Sequence, residues 1–84
     1  MTKVTIYSTI TCQYCILAKR YLEQKGIAFA EVDVTFDPAK AAELAEKTGQ
    51  NRTPVFLIDK DGQEQYLAGF DKARLDEILG LKTE

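Results

Sequence analysis

Hydrophobic residues follow two different spacings in the first half of the chain. Small or apolar residues alternate with polar ones over residues 4–7 and again over residues 28–34, which is the period of a β-strand. Between them, residues 13–25 contain neither Gly nor Pro and carry apolar side chains at helical spacing. Gly26 follows directly, and a glycine at this place commonly ends a helix. This half of the chain is therefore predicted to form a strand, a helix and a second strand.

The middle of the chain predicts a second helix and a third strand. Asp37 can cap a helix whose first residue is Pro38, because the first N–H groups of a helix make no intrahelical bond. Gly49 is expected to end that helix. The side chains expected to face the core are Ala41, Leu44 and Ala45. The unbroken apolar run over residues 55–58 predicts a strand that is buried on both faces.

The last part of the chain predicts a hairpin and a third helix. Asp61 and Gly62 form a dipeptide typical of hairpin turns, so a short strand over residues 65–67 is expected to pair back. Asp71 can cap the last helix, which Gly80 ends. The predicted order is β-α-β-α-β-β-α. Its opening gives a right-handed parallel crossover and its hairpin adds an antiparallel strand, so we expect an α/β fold with a four-stranded mixed sheet flanked by helices.

Composition and charge argue against several classes of function. The 84 residues are 45% hydrophobic and 29% charged, which is typical of a single folded domain over residues 1–84. The formal net charge is −2 without a basic block, so binding to nucleic acid or to an anionic membrane is not expected. No apolar run is long enough to span a bilayer, and the N-terminal residues do not resemble a secretory signal. We expect a cytoplasmic monomer, in a compartment where most thiols stay reduced.

Both cysteines of the chain lie where the first strand gives way to the first helix. The N–H groups in the first turn of a helix have no partner within the helix, and the helix dipole adds partial positive charge there. A thiolate on Cys12 would accept hydrogen bonds from the N–H groups of Tyr14 and Cys15. We therefore expect the pKa of the Cys12 thiol to lie below its usual value, which makes Cys12 the nucleophile of a reactive pair.

Cys15 lies one helical turn further on, along the apolar stripe that contains Ala18 and Leu22. Its more apolar surroundings favour the neutral thiol, which suits a residue that resolves a mixed disulfide by attacking Cys12. The chain has no His, so a Cys–His nucleophile and a closed zinc site of four Cys or His ligands within one chain are both excluded. Two other interpretations stay open: a zinc ion or iron–sulfur cluster shared by two chains, and a pair of unreactive thiols.

Three motifs, TIYSTITCQYC, RTPVFLID and AGFDKARLDEIL, closely resemble in this order those of glutaredoxins and glutaredoxin-like redoxins. The resemblance covers essentially the whole chain and implies the thioredoxin fold. It also implies a cis peptide bond before Pro54, which would face the active-site disulfide. In that family the residue at the position of Thr53 offers its backbone N–H and C=O to an extended substrate, which then pairs as one added strand.

The same resemblance implies that the substrate-binding residues surround the two cysteines. They are Gln13, Tyr14, Arg52, Thr53, Pro54, Gly69, Phe70 and Asp71. Arg52 would supply positive charge to a carboxylate of glutathione, and Asp71 with the first N–H groups of the third helix would meet its γ-glutamyl end. A further alternative is a binding domain that uses this groove without catalysis.

The chain departs from the glutathione-dependent members of the family at two positions that bear on the electron donor. Many of those have a Lys at the position of Thr9, and a Gly-Gly pair where this chain has Ala68 and Gly69. The Gly69-Phe70 pattern resembles the NrdH-redoxin group, which thioredoxin reductase reduces directly. The resemblance therefore implies glutathione or, preferably, a thioredoxin-reductase-type flavoenzyme as electron donor, with no tightly bound cofactor and no metal.

Taken together, the motifs predict a dithiol oxidoreductase of the glutaredoxin type. Cys12 would attack a protein disulfide or a mixed disulfide with glutathione, and Cys15 would resolve the intermediate. The resemblance implies disulfide-containing client proteins such as ribonucleotide reductase.

Overall fold

The computed structural model describes residues 2–50 and 53–80 of the chain. Within these residues the elements follow the predicted order. They are the strands β1 (Thr2–Ser8), β2 (Ala30–Asp33), β3 (Val55–Lys60) and β4 (Gln63–Ala68) and the helices α1 (Gln13–Gln24), α2 (Pro38–Thr48) and α3 (Lys72–Leu79).

The strands form a mixed sheet with the order β2-β1-β3-β4. β1 and β2 are parallel and are connected through α1, as the strand–helix–strand pattern predicted. β3 is antiparallel to both β1 and β4, and the hairpin that joins β3 to β4 turns at Asp61 and Gly62. Because β1 and β2 run in the same direction, the loops that follow them lie at one edge of the sheet. α1 begins at that edge.

The helix ends confirm the predicted capping residues. The carboxylates of Asp37 and Asp71 accept the backbone N–H three residues on, at 3.1 and 3.2 Å. Gly49 and Gly80 follow α2 and α3 with φ of 71° and 72°, a left-handed conformation that glycine adopts without strain. Across residues 2–50 and 53–80, no helix is both long and apolar enough to cross a membrane.

Strand boundaries were predicted less well than helix ends. β1 and β4 extend beyond their predicted bounds at both ends, because residues 2–3 and 63–64 and also Ser8 and Ala68 pair. The side chains of residues 2–3 and 63–64 are exposed and carry no alternation. β2 is shorter than the predicted residues 28–34. The chain leaves the sheet where the Asp33 carboxylate accepts the Thr35 N–H at 2.8 Å, a side-chain turn that competes with strand pairing.

The sheet separates two cores. The face covered by α1 and α3, here called the α1/α3 face, buries Val4, Ile6, Ala18, Tyr21, Leu22, Phe56, Ile58 and Leu75. The opposite face, here called the α2 face, buries Tyr7, Val34, Leu44 and Val55. The predicted burial of the third strand on both faces is confirmed, because Phe56 and Ile58 belong to one core and Val55 to the other. α1, which begins directly after Cys12 and contains Cys15, therefore lies on the face whose core includes Phe56 and Ile58.

Candidate active site

The two cysteines occupy the start of α1. Cys12 is the N-cap residue, with φ −91° and ψ 107°, and its Sγ accepts the N–H of Cys15 at 3.1 Å. Their Cα atoms lie 5.3 Å apart and the sulfurs are joined as a disulfide. In this disulfide form no hydrogen bond from the Tyr14 N–H to the Cys12 sulfur is found among the described residues, and the bond expected from Tyr14 to the Cys12 thiolate stays a prediction. An N-cap side chain bonds either the second or the third N–H of the helix, and here it bonds the third.

The two sulfurs differ in their access to solvent. Cys12 is partly exposed, whereas 1% of the surface of Cys15 is accessible. Ala18 and Leu22, which follow on the same stripe of α1, are fully buried. The N–H of Cys12 is itself bonded to the Thr9 carbonyl at 3.2 Å, which closes the loop before the helix. A molecule that approaches from solvent therefore meets Cys12 before Cys15.

A cleft of about 510 Å³ is lined by Tyr14, which stands between the two cysteines in the sequence, and by Thr53, Gly69 and Phe70. The Thr53–Pro54 peptide bond is cis, as the family resemblance implied. The Pro54 carbonyl accepts the Gly69 N–H at 2.7 Å, which joins the two segments that form the cleft wall. Within residues 2–50 and 53–80, no hydrogen bond uses the backbone N–H or C=O of Thr53.

Thr53 also lines a second cavity, of about 270 Å³, on the α2 face. Thr9 lies at the same cavity, and α2 contributes Ala41, Leu44 and Ala45. The remaining lining residues are Val34, Thr35, Gln50 and Val55. Two of the three α2 side chains are single methyl groups, so the helix leaves space where longer side chains would fill it.

Gln13 and Asp71, two further predicted binding residues, are the sequence neighbours of Tyr14 and Phe70, which line the cleft. Gln13 is the first residue of α1 and is exposed. Asp71 is exposed, and its Oδ1 already accepts an N–H of α3 as the helix cap. The ring of Phe70 packs at a tilt on that of Tyr21, with 5.8 Å between centroids. Arg52 lies outside the described residues, so its predicted role stays a prediction.

Large apolar side chains are exposed around the cysteine pair. Tyr14, Ile16 and Leu17 project from the first turns of α1. In the loops that follow β1 and β2, Ile10 is 67% exposed and Phe36 is 88% exposed. The Ile10 N–H donates to the hydroxyl of the residue before Phe36 at 2.9 Å, which joins the two loops. Exposed apolar surface of this kind is typical of sites that contact another molecule.

The glutaredoxin family model matches residues 4–62, a stretch that includes both cysteines and the cis bond before Pro54. The chain belongs to the glutaredoxin family. Glutaredoxins are thiol oxidoreductases, so membership assigns thiol–disulfide redox chemistry in general terms to the Cys12–Cys15 pair.

Known glutaredoxins match the chain over nearly its full length. A glutaredoxin of Pseudomonas aeruginosa is 39% identical over 80 residues, which cover 95% of this chain and 90% of the relative. A protein of Clostridium pasteurianum, named as an uncharacterized glutaredoxin-like 8.6 kDa protein in a rubredoxin operon, is 36% identical over 76 residues, covering 90% and 96%. The structure of the glutaredoxin-like NrdH-redoxin of Escherichia coli is 29% identical, with a TM-score of 0.71 and coverage of 98% and 97%. The predicted thioredoxin fold is confirmed.

Sequence patterns missed a polar cluster between α1 and the two parallel strands. The buried hydroxyl of Ser8 donates to Oε2 of Glu31 at 2.9 Å, and Lys19 Nζ lies 2.7 Å from the same oxygen. The bond to Lys19, and next the bond to Ser8, hold the pKa of Glu31 below its ordinary value. Lys19 follows Cys15 by one helical turn, so the cluster ties the active-site helix to the sheet. Ser8, Lys19 and Glu31 are far apart in the sequence, and their proximity becomes visible only once β1 and β2 are paired in the parallel register.

A second missed contact supports the wall of the cleft. The buried hydroxyl of Tyr21, on α1, donates to the buried carboxylate of Asp76, on α3. Burial, followed by this bond and the charge of Asp76, raises the pKa of Tyr21 to about 12, so the phenol is neutral at physiological pH. The Tyr21 ring in turn packs against Phe70 of the cleft. The two partners lie 55 residues apart, and no local pattern indicates their pairing.

Proposed function

We propose that this glutaredoxin reduces disulfides through the dithiol of Cys12 and Cys15. The Cys12 thiolate attacks one sulfur of the substrate disulfide, and the other substrate sulfur leaves as a thiolate and takes up a proton. Cys15 then loses its proton and attacks Sγ of Cys12, which displaces the second substrate sulfur. The products are a reduced substrate and the Cys12–Cys15 disulfide, so two electrons and two protons pass from protein to substrate.

The observation that carries this proposal is the unequal exposure of the two cysteines at one helix start. The partly exposed Cys12 lies where the helix dipole and the Cys15 N–H, at 3.1 Å, stabilise negative charge on its sulfur. That stabilisation helps Cys12 twice, as the attacking thiolate and as the leaving group when Cys15 attacks. Cys15 is buried behind it and reaches Cys12 more readily than any external disulfide.

The cleft supports a polypeptide or glutathione as the carrier of the disulfide. An extended segment that pairs with the N–H and C=O of Thr53 would place its own sulfur beside Cys12. Tyr14 and Phe70 would then flank the segment, since both line the cleft. The binding residues we propose are Gln13, Tyr14, Arg52, Thr53, Pro54, Gly69, Phe70 and Asp71.

The electron donor that we favour is a thioredoxin-reductase-type flavoenzyme, with glutathione as the alternative. Thr9 and Ala68 depart from the glutathione-dependent pattern, and the similar NrdH-redoxin is described as having a thioredoxin-like activity profile. Neither donor requires a tightly bound cofactor in this chain. We propose disulfide-containing client proteins in the cytoplasm, such as ribonucleotide reductase, for a monomer with a single domain over residues 1–84.

Counting the thiolates released from a small aryl disulfide tests the roles of the two cysteines. Reduced, desalted wild type should release two aryl thiolates per chain, one in each step, and end as the intramolecular disulfide. Cys15→Ser should release one and retain the other aryl group, which intact-mass spectrometry detects. Cys12→Ser should release none, because a serine oxygen cannot form the mixed disulfide and Cys15 is buried.

Two outcomes would contradict the proposal. Thiolate release from Cys12→Ser at the wild-type rate would show that Cys12 is not the nucleophile. Stoichiometric zinc or iron in protein purified without oxygen, together with no thiolate release from the wild type, would favour a metal shared between two chains.

A coupled assay separates the two electron donors. Oxidised protein is presented with NADPH and thioredoxin reductase, or with NADPH, glutathione and glutathione reductase, and NADPH consumption is followed by absorbance. We expect faster reduction with thioredoxin reductase. Faster reduction with glutathione would leave the dithiol mechanism intact and reverse the donor assignment.

A further inference from the structure

A groove between α1 and α3 adjoins the cleft. Its volume is about 350 Å³, and it is lined by Leu17, Arg20, Tyr21, Gln24, Phe70 and Lys72. Phe70 lines both the groove and the cleft. A polypeptide bound in the cleft therefore reaches the groove by passing one side chain.

The floor of the groove is apolar. The rings of Tyr21 and Phe70 pack on each other with centroids 5.8 Å apart, and Leu17 lies exposed beside them. The hydroxyl of Tyr21 is turned to Asp76, so the groove meets the ring of Tyr21 and not its polar end. This floor is suited to an apolar side chain of a bound molecule.

The rim of the groove is positively charged. Arg20 and Lys72 are both exposed, and Lys72 Nζ lies 5.2 Å from the centroid of the Tyr21 ring. Lys25 Nζ lies 5.7 Å from the same centroid. In the part of the chain that the structure describes, neither Arg20 nor Lys72 forms an ion pair, and no lining residue is acidic. The groove is therefore locally basic in a chain whose net charge is −2.

We propose that the groove binds a segment of the client polypeptide in which an apolar side chain stands next to a carboxylate. The inference rests on the proposed function and specifies its substrate class. The apolar side chain would pack on the exposed Leu17 and on the ring of Phe70, which the buried Tyr21 ring supports, and the carboxylate would pair with Arg20 and Lys72. Such a partner matches both the floor and the charge of the groove.

Helix geometry sets the spacing within the client. Arg20 follows Cys12 by eight residues, which at about 1.5 Å per residue is roughly 12 Å along α1. An extended polypeptide covers this distance in about four residues, at roughly 3.3 Å per residue. The carboxylate should therefore stand about four residues from the client cysteine.

Matched peptides test the proposal without an electron donor. Each peptide carries one cysteine as a mixed disulfide with an aryl thiol, a Leu three residues away and, at the fourth residue, either Glu or Lys. Both peptides are made with the Leu on either side of the cysteine. Reduced protein is mixed with subsaturating peptide, and the rate constant of aryl thiolate release is measured.

We expect the Glu peptide of one orientation to react about five-fold faster than its Lys counterpart, the size expected of one or two exposed ion pairs. High salt should diminish the preference, because it screens exposed charges. The double variant Arg20→Gln/Lys72→Gln should lose the preference. Lys47→Gln, which removes an exposed cation of α2, should keep it.

The outcomes separate this inference from the proposed function. Equal rates for all peptides, with two thiolates still released from the small aryl disulfide, would overturn the groove assignment alone. No release from either peptide or from the small disulfide would be a failure of the proposed function itself. A dimer seen by sedimentation that dissociates in the double variant would assign the groove to a second copy of the chain and overturn the proposal.

Discussion

The two faces of the sheet differ in how completely they are filled. On the α1/α3 face, Ile6, Leu22 and Phe56 are fully buried in one continuous core. On the α2 face, Leu44 and Val55 are buried as well, yet both line the cavity of about 270 Å³ that extends to Thr9 and Thr53. Open space on the α2 face therefore reaches buried core residues, whereas the groove of about 350 Å³ on the α1/α3 face is lined mainly by exposed side chains and does not reach Ile6, Leu22 or Phe56.

The difference assigns separate tasks to the two faces. A close-packed core has low compressibility, so a helix that packs on such a core keeps its position relative to the sheet. The α1/α3 face carries Cys12 and Cys15 in this way. The open space lies instead beside Thr53, at the edge of the cleft, where an incoming molecule has to be accommodated. The helix that begins at the cysteine pair therefore lies on a filled core, whereas the cavity of the α2 face lies beside Thr53.

The largest expected effect tests the packing of the α1/α3 face directly. Leu22→Ala should lower the free energy of unfolding by about 3–5 kcal/mol, because a fully buried site that cannot collapse adds a cavity cost to the lost transfer free energy. Urea denaturation of the oxidised protein measures the change. A domain of this size has only about 4–13 kcal/mol in total, so the variant should be close to unfolding at 37 °C.

Leu44→Ala is the matched change on the α2 face. The same atoms are removed, but Leu44 already borders open space, so less new cavity is created and the loss should be about 2–3 kcal/mol. Equal losses for the two variants, or a larger loss for Leu44→Ala, would remove the basis for contrasting the faces.

The sequence predicted the α1/α3 face better than the α2 face, for a physical reason. The periodic positions of α1 carry Cys15, Ala18 and Leu22, all of which are buried as expected. Ala41 and Ala45 on α2 have the same helical spacing, but both are only partly buried. Spacing predicts which side of a helix faces inward, whereas the volume that small side chains leave unfilled depends on the strands opposite.

Within the site, local motifs succeeded and distant contacts were missed. The Cys12–Cys15 pair was found from a motif of a few residues and the cis bond before Pro54 from the family resemblance, and their neighbours Tyr14 and Thr53 line one cleft. The bond from Tyr21 to Asp76 depends on how α1 and α3 pack, which no short stretch encodes.

The next smaller effect concerns the buried hydrogen bond between Tyr21 and Asp76, which joins α1 to α3. Tyr21→Phe keeps the ring on Phe70 but leaves the buried carboxylate of Asp76 without this donor, so the free energy of unfolding should fall by about 1–3 kcal/mol at pH 7. Tyr66→Phe is the matched change on the α2 face, where no hydrogen bond of the described residues uses the Tyr66 hydroxyl. It should change stability by less than about 0.5 kcal/mol.

The stability of the protein at alkaline pH also tests the bond between Tyr21 and Asp76. The pKa of Tyr21 is raised from 10.0 to about 12 in the folded protein, so the stability it contributes is fully present below pH 10 and is lost as pH rises towards 12. Wild type should therefore lose stability more steeply than Tyr21→Phe across this window. Parallel curves for the two proteins would show that Tyr21 is not held neutral by folding.

The smallest expected effect concerns the polar cluster beside Cys15. Glu31→Gln removes the charge that pairs with Lys19 while an amide oxygen can still accept the Ser8 hydroxyl, so only the electrostatic part of the cluster is lost. The Glu31 side chain is 40% exposed, and solvent screens such pairs, so the loss should stay below about 1 kcal/mol at pH 7. Denaturation curves at several pH values measure it.

Acid titration tests the contribution of Glu31 to this cluster. The pKa of Glu31 is lowered from 4.5, so its contribution is present above pH 4.5 and is lost as pH falls through the folded pKa. Wild type and Glu31→Gln should converge in stability at low pH. At pH 7, Glu43→Gln is the matched change on α2, because it removes the acidic partner of the exposed Lys40 pair, for which no hydroxyl donor is found among the described residues. Its cost should be smaller than that of Glu31→Gln, and an equal cost would mean that the Ser8 hydroxyl adds nothing to the pair.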